Sequence, residues 1–178
     1  MRYFKKLVGK NVYLSPMNIE DAETYVKWLN DLEVTDGLGS SCRVTSLEGE
    51  REWLRNNTGQ YQFSIVTLKD DVLIGNCGVN EIDQLRQCAD VGLFIGEEVN
   101  RNKGYGSEAL ELLLDYCFDY LNLNNIMLKV FSFNERAINC YKKVGFKEIG
   151  RRRQAYYSKG KFYDVVYMDI LRCERKVR

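Results

Sequence analysis

The sequence of 178 residues contains no histidine. Histidine is the usual general base near neutral pH and the commonest metal ligand among the side chains. Its absence excludes a Ser-His-Asp triad, a Cys-His pair and any histidine-ligated metal site. Proton transfer in this protein therefore has to use other groups, such as a tyrosine, a carboxylate or water.

Paired cysteine motifs and long apolar runs are also missing. The six cysteines are scattered without a Cys-x-x-Cys spacing, so we expect small buried side chains and no metal. No run of 18 apolar residues occurs, and no apolar stretch follows the basic start of the chain. The sequence therefore predicts a cytoplasmic protein with neither a signal peptide nor a membrane partner.

Net charge is close to zero, with 26 basic and 25 acidic residues. This balance excludes disorder driven by charge and gives no reason to expect a nucleic-acid partner. The distribution is uneven, since residues 1–100 hold 16 acidic and 10 basic side chains, whereas residues 101–178 hold 9 and 16. The Arg151–Arg153 run could contact nucleic acid, or it could be a solvated strand edge that blocks edge pairing.

Hydrophobic periodicity predicts alternating helices and strands. Helices are expected after Pro16, after Ser46, over 104–121 and over 135–144, while 31–43 is expected to be a loop. The predicted strands are 11–15, 61–67, 72–82, 89–95, 126–131, and two C-terminal strands that begin near 146 and end at 171, joined by a hairpin turn at Lys159-Gly160.

No linker or repeat divides this pattern. It predicts one α/β domain over 1–178 with its core in 10–171, built on a mixed, mostly antiparallel central sheet of roughly seven strands flanked by helices.

The segment 99–108 joins a predicted strand to the start of the strongest predicted helix. Gly104 and Gly106 allow tight backbone turns and leave amide groups uncovered, while Arg101 and Lys103 add positive charge. Such a loop at a helix N-terminus suits a phosphate or pyrophosphate. A plain strand-to-helix turn is the alternative. The loop lacks the endings typical of P-loops and dinucleotide-binding motifs, so neither nucleotide hydrolysis nor nicotinamide binding is favoured.

Two segments together resemble a known family. Residues 101–106 read Arg-x-x-Gly-x-Gly, similar to the acetyl-CoA pyrophosphate motif of the GNAT N-acetyltransferases. Residues 134–146 read Asn-x-x-Ala-x-x-x-Tyr-x-x-x-Gly-Phe, similar to the family's second signature. The likeness is greatest to the group with ribosomal-protein N-terminal and spermidine acetyltransferases. Asn102 stands where the family more usually has glycine.

The resemblance implies a GNAT-like fold and acetyl-CoA as cosubstrate. The backbone at residues 93–95 would bind the pantetheine arm as an added strand. Loop amides would hold the pyrophosphate, and two asparagines would contact the cofactor near the second signature, where an ordinary helix cap is the alternative for the first of them. The implied cofactor-binding residues are Leu93, Phe94, Ile95, Arg101, Asn102, Lys103, Gly104, Tyr105, Gly106, Ser107, Asn134 and Asn139.

The resemblance also assigns catalytic candidates. Tyr141 would protonate the leaving CoA thiolate as a general acid, and a half-buried core tyrosine is the alternative. Glu81 and Asp90 are the candidates for the base that deprotonates the acceptor amine, and solvated strand-end charges are the alternative for both. Attack of the amine on the thioester would be direct, without a covalent enzyme intermediate.

The acceptor has two candidate classes. The acidic first hundred residues favour a small cationic amine such as a polyamine, or an amino sugar, whereas the α-amine of a protein N-terminus, such as that of a ribosomal protein, is the alternative. Keeping a lysine-like amine neutral at pH 7 costs roughly 4.6 kcal/mol, against about 1 kcal/mol for an α-amine. A non-catalytic acyl-CoA-binding sensor is the hypothesis from another class. A homodimer is also compatible with the resemblance.

Overall fold

The computed structural model describes residues 2–57 and 60–175, and within these ranges the chain forms eight strands and five α-helices. The strands are β1 (Leu7–Val8), β2 (Val12–Pro16), β3 (Gln62–Thr67), β4 (Leu73–Asp83), β5 (Cys88–Ile95), β6 (Asn125–Phe131), β7 (Lys147–Ser158) and β8 (Lys161–Leu171). The helices are α1 (Ala22–Leu29), α2 (Leu32–Leu38), α3 (Leu47–Asn57), α4 (Tyr105–Asp119) and α5 (Glu135–Val144).

The strands form an open sheet in the order β1-β2-β3-β4-β5-β6-β8-β7. The described pairings are antiparallel except that of β5 with β6, which is parallel. This architecture is an α/β fold with a mixed, mostly antiparallel open sheet, and it confirms the predicted fold class. The sheet has one strand more than predicted, because the two-residue strand β1 is too short to produce an alternating pattern.

The chain clusters into two compact units. The first unit comprises Met1–Gly78 and Leu93–Leu112, and the second comprises Val79–Gly92 and Leu113–Arg178. In the first unit, buried side chains of β2 and β3 pack with α1 and α3, and the cluster includes Tyr13, Trp28, Leu54 and Val66. The assignment of residues 10–171 to one domain stays a prediction.

In the second unit, the two faces of β6 differ in exposure. Ile126, Leu128 and Val130 are buried, whereas Met127 and Lys129 point to the opposite face and retain solvent contact. The parallel ladder covers Cys88–Asp90 with Asn125–Met127, and β8 pairs along the whole of β6. Asp90 therefore shares the more exposed face with Met127 and Lys129.

One segment was predicted incorrectly: residues 31–43 contain the helix α2 (Leu32–Leu38) instead of being entirely a loop. The Asp31 side chain caps this helix by accepting a bond from Glu33 N–H at 2.9 Å, and Gly39 ends it in the left-handed conformation with φ of 72°. The helix spans seven residues and buries Val34 and Thr35. So short an apolar stripe does not distinguish a helix from a turn.

The helix α5 has the predicted bounds, while α4 is shorter than the predicted 104–121. Strand β7 is the outer strand of the sheet, and Arg151, Arg152 and Arg153 are exposed on it, in agreement with the strand-edge interpretation. None of the helices within the described ranges is long and apolar enough to cross a membrane.

Candidate functional site

The loop after β5 turns twice through backbone conformations that side chains rarely adopt. Asn102 has φ of 61° and Gly104 has φ of 83°. Asparagine is the residue, after glycine, that best tolerates this left-handed region. The Gly-to-Asn departure from the family motif therefore keeps the backbone conformation that the turn requires.

The N-terminus of α4 lies directly after this turn. The N–H of Glu108 donates to Gly104 C=O at 3.0 Å, and the amides of the first helical residues, Tyr105 and Gly106, precede the carbonyls of the helix. A Cβ added to Gly104 would meet no atom within 4 Å. The loop thus has open space and amides at a helix N-terminus, which fits a phosphate group.

In the first unit, the side chains at the end of β5 point alternately towards the start of α4 and towards Trp28. A Cβ added to Gly106 would lie 3.4 Å from Leu93 Cδ1 and 3.8 Å from Ile95 Cγ1, so these side chains face the start of α4. Phe94 points the other way, with its ring in edge contact with Trp28 at a centroid distance of 6.0 Å. Trp28 also covers Gly96, where an added Cβ would lie 2.2 Å from the indole ring.

The guanidinium of Arg101 binds two backbone carbonyls at the end of β5. Its Nη2 donates to Gly96 C=O at 2.7 Å and its Nε donates to Ile95 C=O at 3.3 Å. The side chain therefore closes the loop between β5 and α4, and its positive charge stays beside the turn. Lys103 and Asn102 are exposed on the same loop.

Glu108 connects the start of α4 to the turn between β1 and β2. Its carboxylate accepts bonds from Asn11 N–H at 2.7 Å, Val12 N–H at 3.3 Å and the Asn11 side-chain amide at 2.9 Å, and also from Lys10 N–H. Partial burial raises the pKa of Glu108, but these bonds outweigh it and hold the pKa below its usual value. This residue was missed by sequence reasoning, since its partners lie 96 to 98 residues earlier in the chain.

In the second unit, Asn134 begins the helix α5. Its side-chain oxygen accepts a bond from Ala137 N–H at 3.2 Å, which is the expected N-cap interaction. Asn139 is exposed on the same helix. Tyr141 lies seven residues after Asn134, about two helical turns along the axis.

Tyr141 is positioned by the end of α5. Phe146 N–H donates to Tyr141 C=O at 3.0 Å and Gly145 N–H donates to Lys142 C=O at 3.2 Å, which together form a Schellman motif. Gly145 has φ of 122°, and the rings of Tyr141 and Phe146 are 6.1 Å apart. Tyr141 is buried, and this burial raises the pKa of its phenol well above the ordinary value. The hydroxyl therefore stays protonated over the physiological pH range.

The two predicted carboxylates differ in their surroundings. Asp90 forms an ion pair with Lys129 at 2.9 Å, and its side chain is 17% exposed. Glu81 is exposed on β4, with φ of 49°. The hydrogen bond to Asp90 raises the pKa of Lys129, and the charges of Asp90 and Glu81 add to the effect. Lys129 was not among the residues predicted from the sequence.

Tyr141 and Asp90 belong to elements on opposite sides of the sheet in the second unit. A Cβ on Gly145 would lie 3.2 Å from Ile170 Cδ1, so the end of α5 contacts the buried face of β8. Asp90 and Lys129 lie on the other face. The assignments of Tyr141 as the acid and of Glu81 or Asp90 as the base stay predictions.

The described residues, 2–57 and 60–175, contain no group of three or more Cys, Asp or Glu side chains arranged to hold a metal ion. The cysteines are free thiols: Cys77 and Cys117 are buried, and Cys42 and Cys173 are exposed. Burial raises the pKa of Cys117 to about 12, so this thiol is inert at neutral pH. Burial of the cysteines, predicted for several of them, thus holds for Cys77 and Cys117.

Comparisons with known proteins agree with this arrangement. A model of the acetyltransferase (GNAT) domain matches residues 11–147. The uncharacterized N-acetyltransferase p20 of Bacillus licheniformis is 32% identical over 174 residues, which cover 94% of this chain and 97% of the relative.

Solved structures share the fold at lower identity. Spermidine N-acetyltransferase of Vibrio cholerae, solved with CoA and spermine, has a TM-score of 0.83 at 23% identity and covers 92% of this chain and 96% of that one. The RimL ribosomal L7/L12 α-N-protein acetyltransferase, solved with coenzyme A, has a TM-score of 0.79 at 18% identity, with coverages of 92% and 96%. Because the domain model spans most of the chain and the Bacillus relative aligns over nearly its full length, the chain belongs to the GNAT family of N-acetyltransferases.

Proposed function

We propose that this protein transfers an acetyl group from acetyl-CoA directly to a primary amine, with Tyr141 as the general acid. The observation that carries this proposal is the position of Tyr141, which is buried and fixed by the Schellman motif at the end of α5. The phenol is protonated at neutral pH, so it has a proton that it can donate to a leaving thiolate as the thiolate's negative charge develops.

In the first unit, the cofactor would be held by β5 and the loop that follows it. The pyrophosphate would bind at the start of α4, on the open side of Gly104. Its oxygens would accept hydrogen bonds from the backbone amides of Tyr105, Gly106 and Ser107. The backbone of residues 93–95 would bind the amides of the pantetheine arm. Arg101 would hold the loop closed through its Nε and Nη2, which donate to backbone carbonyls, and would add its positive charge beside the phosphates. Asn102 and Lys103 would contribute from the exposed side of the turn.

In the second unit, Asn134 and Asn139 are the proposed contacts to the cofactor arm. The Asn134 oxygen is engaged as the N-cap of α5, so a contact to the cofactor would be made by its side-chain NH₂ group. The bound thioester supplies the electrophilic acyl carbon and the thiolate that Tyr141 protonates.

Glu81 is the better candidate for the base. Asp90 Oδ2 is engaged with the Lys129 ammonium at 2.9 Å, so this carboxylate already has a partner within the protein. Glu81 is exposed, so it can act through a water molecule at the edge of the site. Asp90 would then orient Lys129 instead of accepting the proton itself.

The acceptor classes differ in the base that they require. An α-amine or a weakly basic amino sugar loses its proton more readily than a polyamine nitrogen, so it needs less help from Glu81. Acetyltransferases with this fold include proteins named for spermidine and for a ribosomal protein N-terminus. Both classes therefore belong in the substrate test.

The test measures CoA release with acetyl-CoA and a panel of amines: spermidine, glucosamine, n-butylamine and N-terminal peptides. We expect turnover with at least one amine, and a loss in kcat of about a hundredfold in Tyr141→Phe. The control is Tyr157→Phe, which changes an exposed tyrosine of β7. Full activity of Tyr141→Phe at every pH would refute the assignment of the acid. Tight CoA binding without transfer to any amine would favour the acyl-CoA sensor.

A further inference from the structure

Lys129 places a positive charge beside both carboxylates that are candidates for the base. Its ammonium lies 2.9 Å from Asp90 Oδ2, and Glu81 is close enough to contribute to its raised pKa. With Lys129 present, the three side chains together carry one negative charge. Without it they would carry two, which is the arrangement expected to attract a polycation.

The ion pair is open to an incoming molecule. The Lys129 side chain is 44% exposed, and it lies on the face of β6 opposite the buried residues. On the same face, the residue paired with Lys129 on β8 is Tyr167, and the residue paired with Asp90 on β6 is Met127. The carboxylate of Asp169, which is paired with Met127 on β8, accepts a bond from the Asn125 side-chain amide at 2.8 Å. Among the described residues of this face, Lys129 is therefore a cation held in place by its own partner and accessible from solvent.

Building on the proposed function, we infer that Lys129 selects acceptors that carry a single positive charge and discriminates against polyamines. One ammonium matches the single net charge of the Glu81, Asp90 and Lys129 group. A second or third ammonium on the same molecule would face Lys129 and be repelled by it. The acceptor class is then a monocationic primary amine, such as an amino sugar, an α-amine or a simple alkylamine.

Lys129 would also favour deprotonation of the acceptor amine that binds beside it. A positive charge near an amine favours the neutral form of that amine, and only the neutral form is nucleophilic. This effect reduces the demand on Glu81 in a protein that has no histidine to act as base. Lys129 is thus proposed as a specificity-determining residue that also lowers the pKa of the bound acceptor.

The experiment compares spermidine with n-butylamine, which is a singly charged fragment of it. We would measure kcat/KM for both amines in the wild type, in Lys129→Met and in Lys129→Arg. The control is Lys147→Met, which removes another exposed, ion-paired lysine of the second unit. Lys129→Met should raise the ratio of kcat/KM for spermidine over butylamine by at least about tenfold, or about 1.4 kcal/mol. Lys129→Arg and Lys147→Met should keep the wild-type ratio.

A second measurement separates selection from a merely structural role. The pH profile of kcat/KM for butylamine should move to higher pH in Lys129→Met, because the acceptor amine would then lie beside two carboxylates without the cation, which favours its protonated form. Lys129→Arg should keep the wild-type profile. An unchanged ratio together with an unchanged profile would overturn the proposal while leaving the acetyl transfer intact. So would a wild type that prefers spermidine to butylamine. If instead no amine is acetylated by any form of the protein, the proposed function itself fails.

Discussion

At the scale of single residues, Asn102 offers a test of the loop that we propose for the cofactor phosphates. Its φ of 61° suits glycine and asparagine but not a β-branched residue. Asn102→Gly should leave both thermal stability and the KM for acetyl-CoA close to wild type. Asn102→Val should cost about 1–2 kcal/mol and raise the KM. A valine variant with wild-type values in thermal unfolding and steady-state kinetics would contradict this view of the turn.

The depressed pKa of Glu108 leads us to expect that the stability of the fold depends on pH. Because its pKa in the folded protein is depressed, ionised Glu108 stabilises the fold above its unfolded pKa, and this contribution is lost as the pH falls through the folded value. Glu108→Gln should therefore lower Tm clearly at pH 7, and the difference from wild type should shrink below about pH 4.

Thermal scans between pH 3 and 8 would measure this difference, with Glu23→Gln in the first turn of α1 as control. A difference in Tm that does not vary with pH would show that the charge of Glu108 is unimportant.

The local sequence predicted residues whose structural role is set by their neighbours in the chain, such as helix caps and turns. It missed residues whose role is set by a partner far away in the sequence. The cap at Asn134 and the positive φ at Gly145 follow from neighbours in the chain. The bonds of Glu108 to residues 10–12, and of Lys129 to Asp90, join segments far apart in sequence. No periodicity or motif encodes such pairs, because they arise only when the strands and helices pack.

At the scale of secondary-structure elements, the C-terminus of α5 couples helix stability to the position of Tyr141. Gly145→Ala should cost about 1–2 kcal/mol, because φ of 122° is strained for alanine and the added Cβ would lie 3.2 Å from Ile170. For a domain of this size we expect a decrease in Tm of roughly 2–8 °C. The kcat should fall with it, since the motif fixes Tyr141.

The matched control is Gly150→Ala, where an added Cβ meets nothing within 4 Å. We expect its Tm and kcat to stay near wild type. Equal decreases in Tm and kcat for the two substitutions would mean that the decrease at Gly145 is unrelated to the helix cap.

The strongly periodic elements were predictable and the weakly periodic ones were not. The bounds of α5 were predicted correctly because a cap, an apolar stripe and a terminal glycine all agree. Helix α2 lacks that agreement, since it is short and contains Gly37 within it. Strand β1 has only Leu7 and Val8, so it depends entirely on pairing with Leu14 and Tyr13 of β2.

At the scale of the whole molecule, the acidic excess of the first hundred residues persists in the first compact unit, and the basic excess of the later residues persists in the second. The first unit, which contains the proposed phosphate loop, has 15 acidic and 11 basic residues, and the second has 10 and 15. The phosphate loop is therefore part of a net acidic unit, and its positive field comes from Arg101 and Lys103 locally. The cytoplasmic location and the homodimer stay predictions.

Binding of CoA should stabilise the entire chain. At a CoA concentration one hundred times Kd, the gain is about 2.7 kcal/mol, which corresponds to an increase in Tm of roughly 5–11 °C for a protein of this size. Gly104→Asp should abolish the increase, because it adds a carboxylate on the open side of the turn. Because φ of 83° is strained for a side chain, the variant should also lose about 1 kcal/mol of stability, so each increase is measured from that protein's own unliganded Tm. Differential scanning fluorimetry would measure both proteins. A full increase in the aspartate variant would place the phosphates elsewhere.

The contact between Trp28 and Gly96 gives this protein an intrinsic optical reporter. The chain has two tryptophans, and Trp53 is 44% exposed whereas Trp28 is 3% exposed. A Trp53→Phe variant would leave a single indole, packed against the residue where the proposed cofactor strand ends. Its emission would then follow events at that strand without any added label, so association and dissociation could be timed in a stopped-flow instrument.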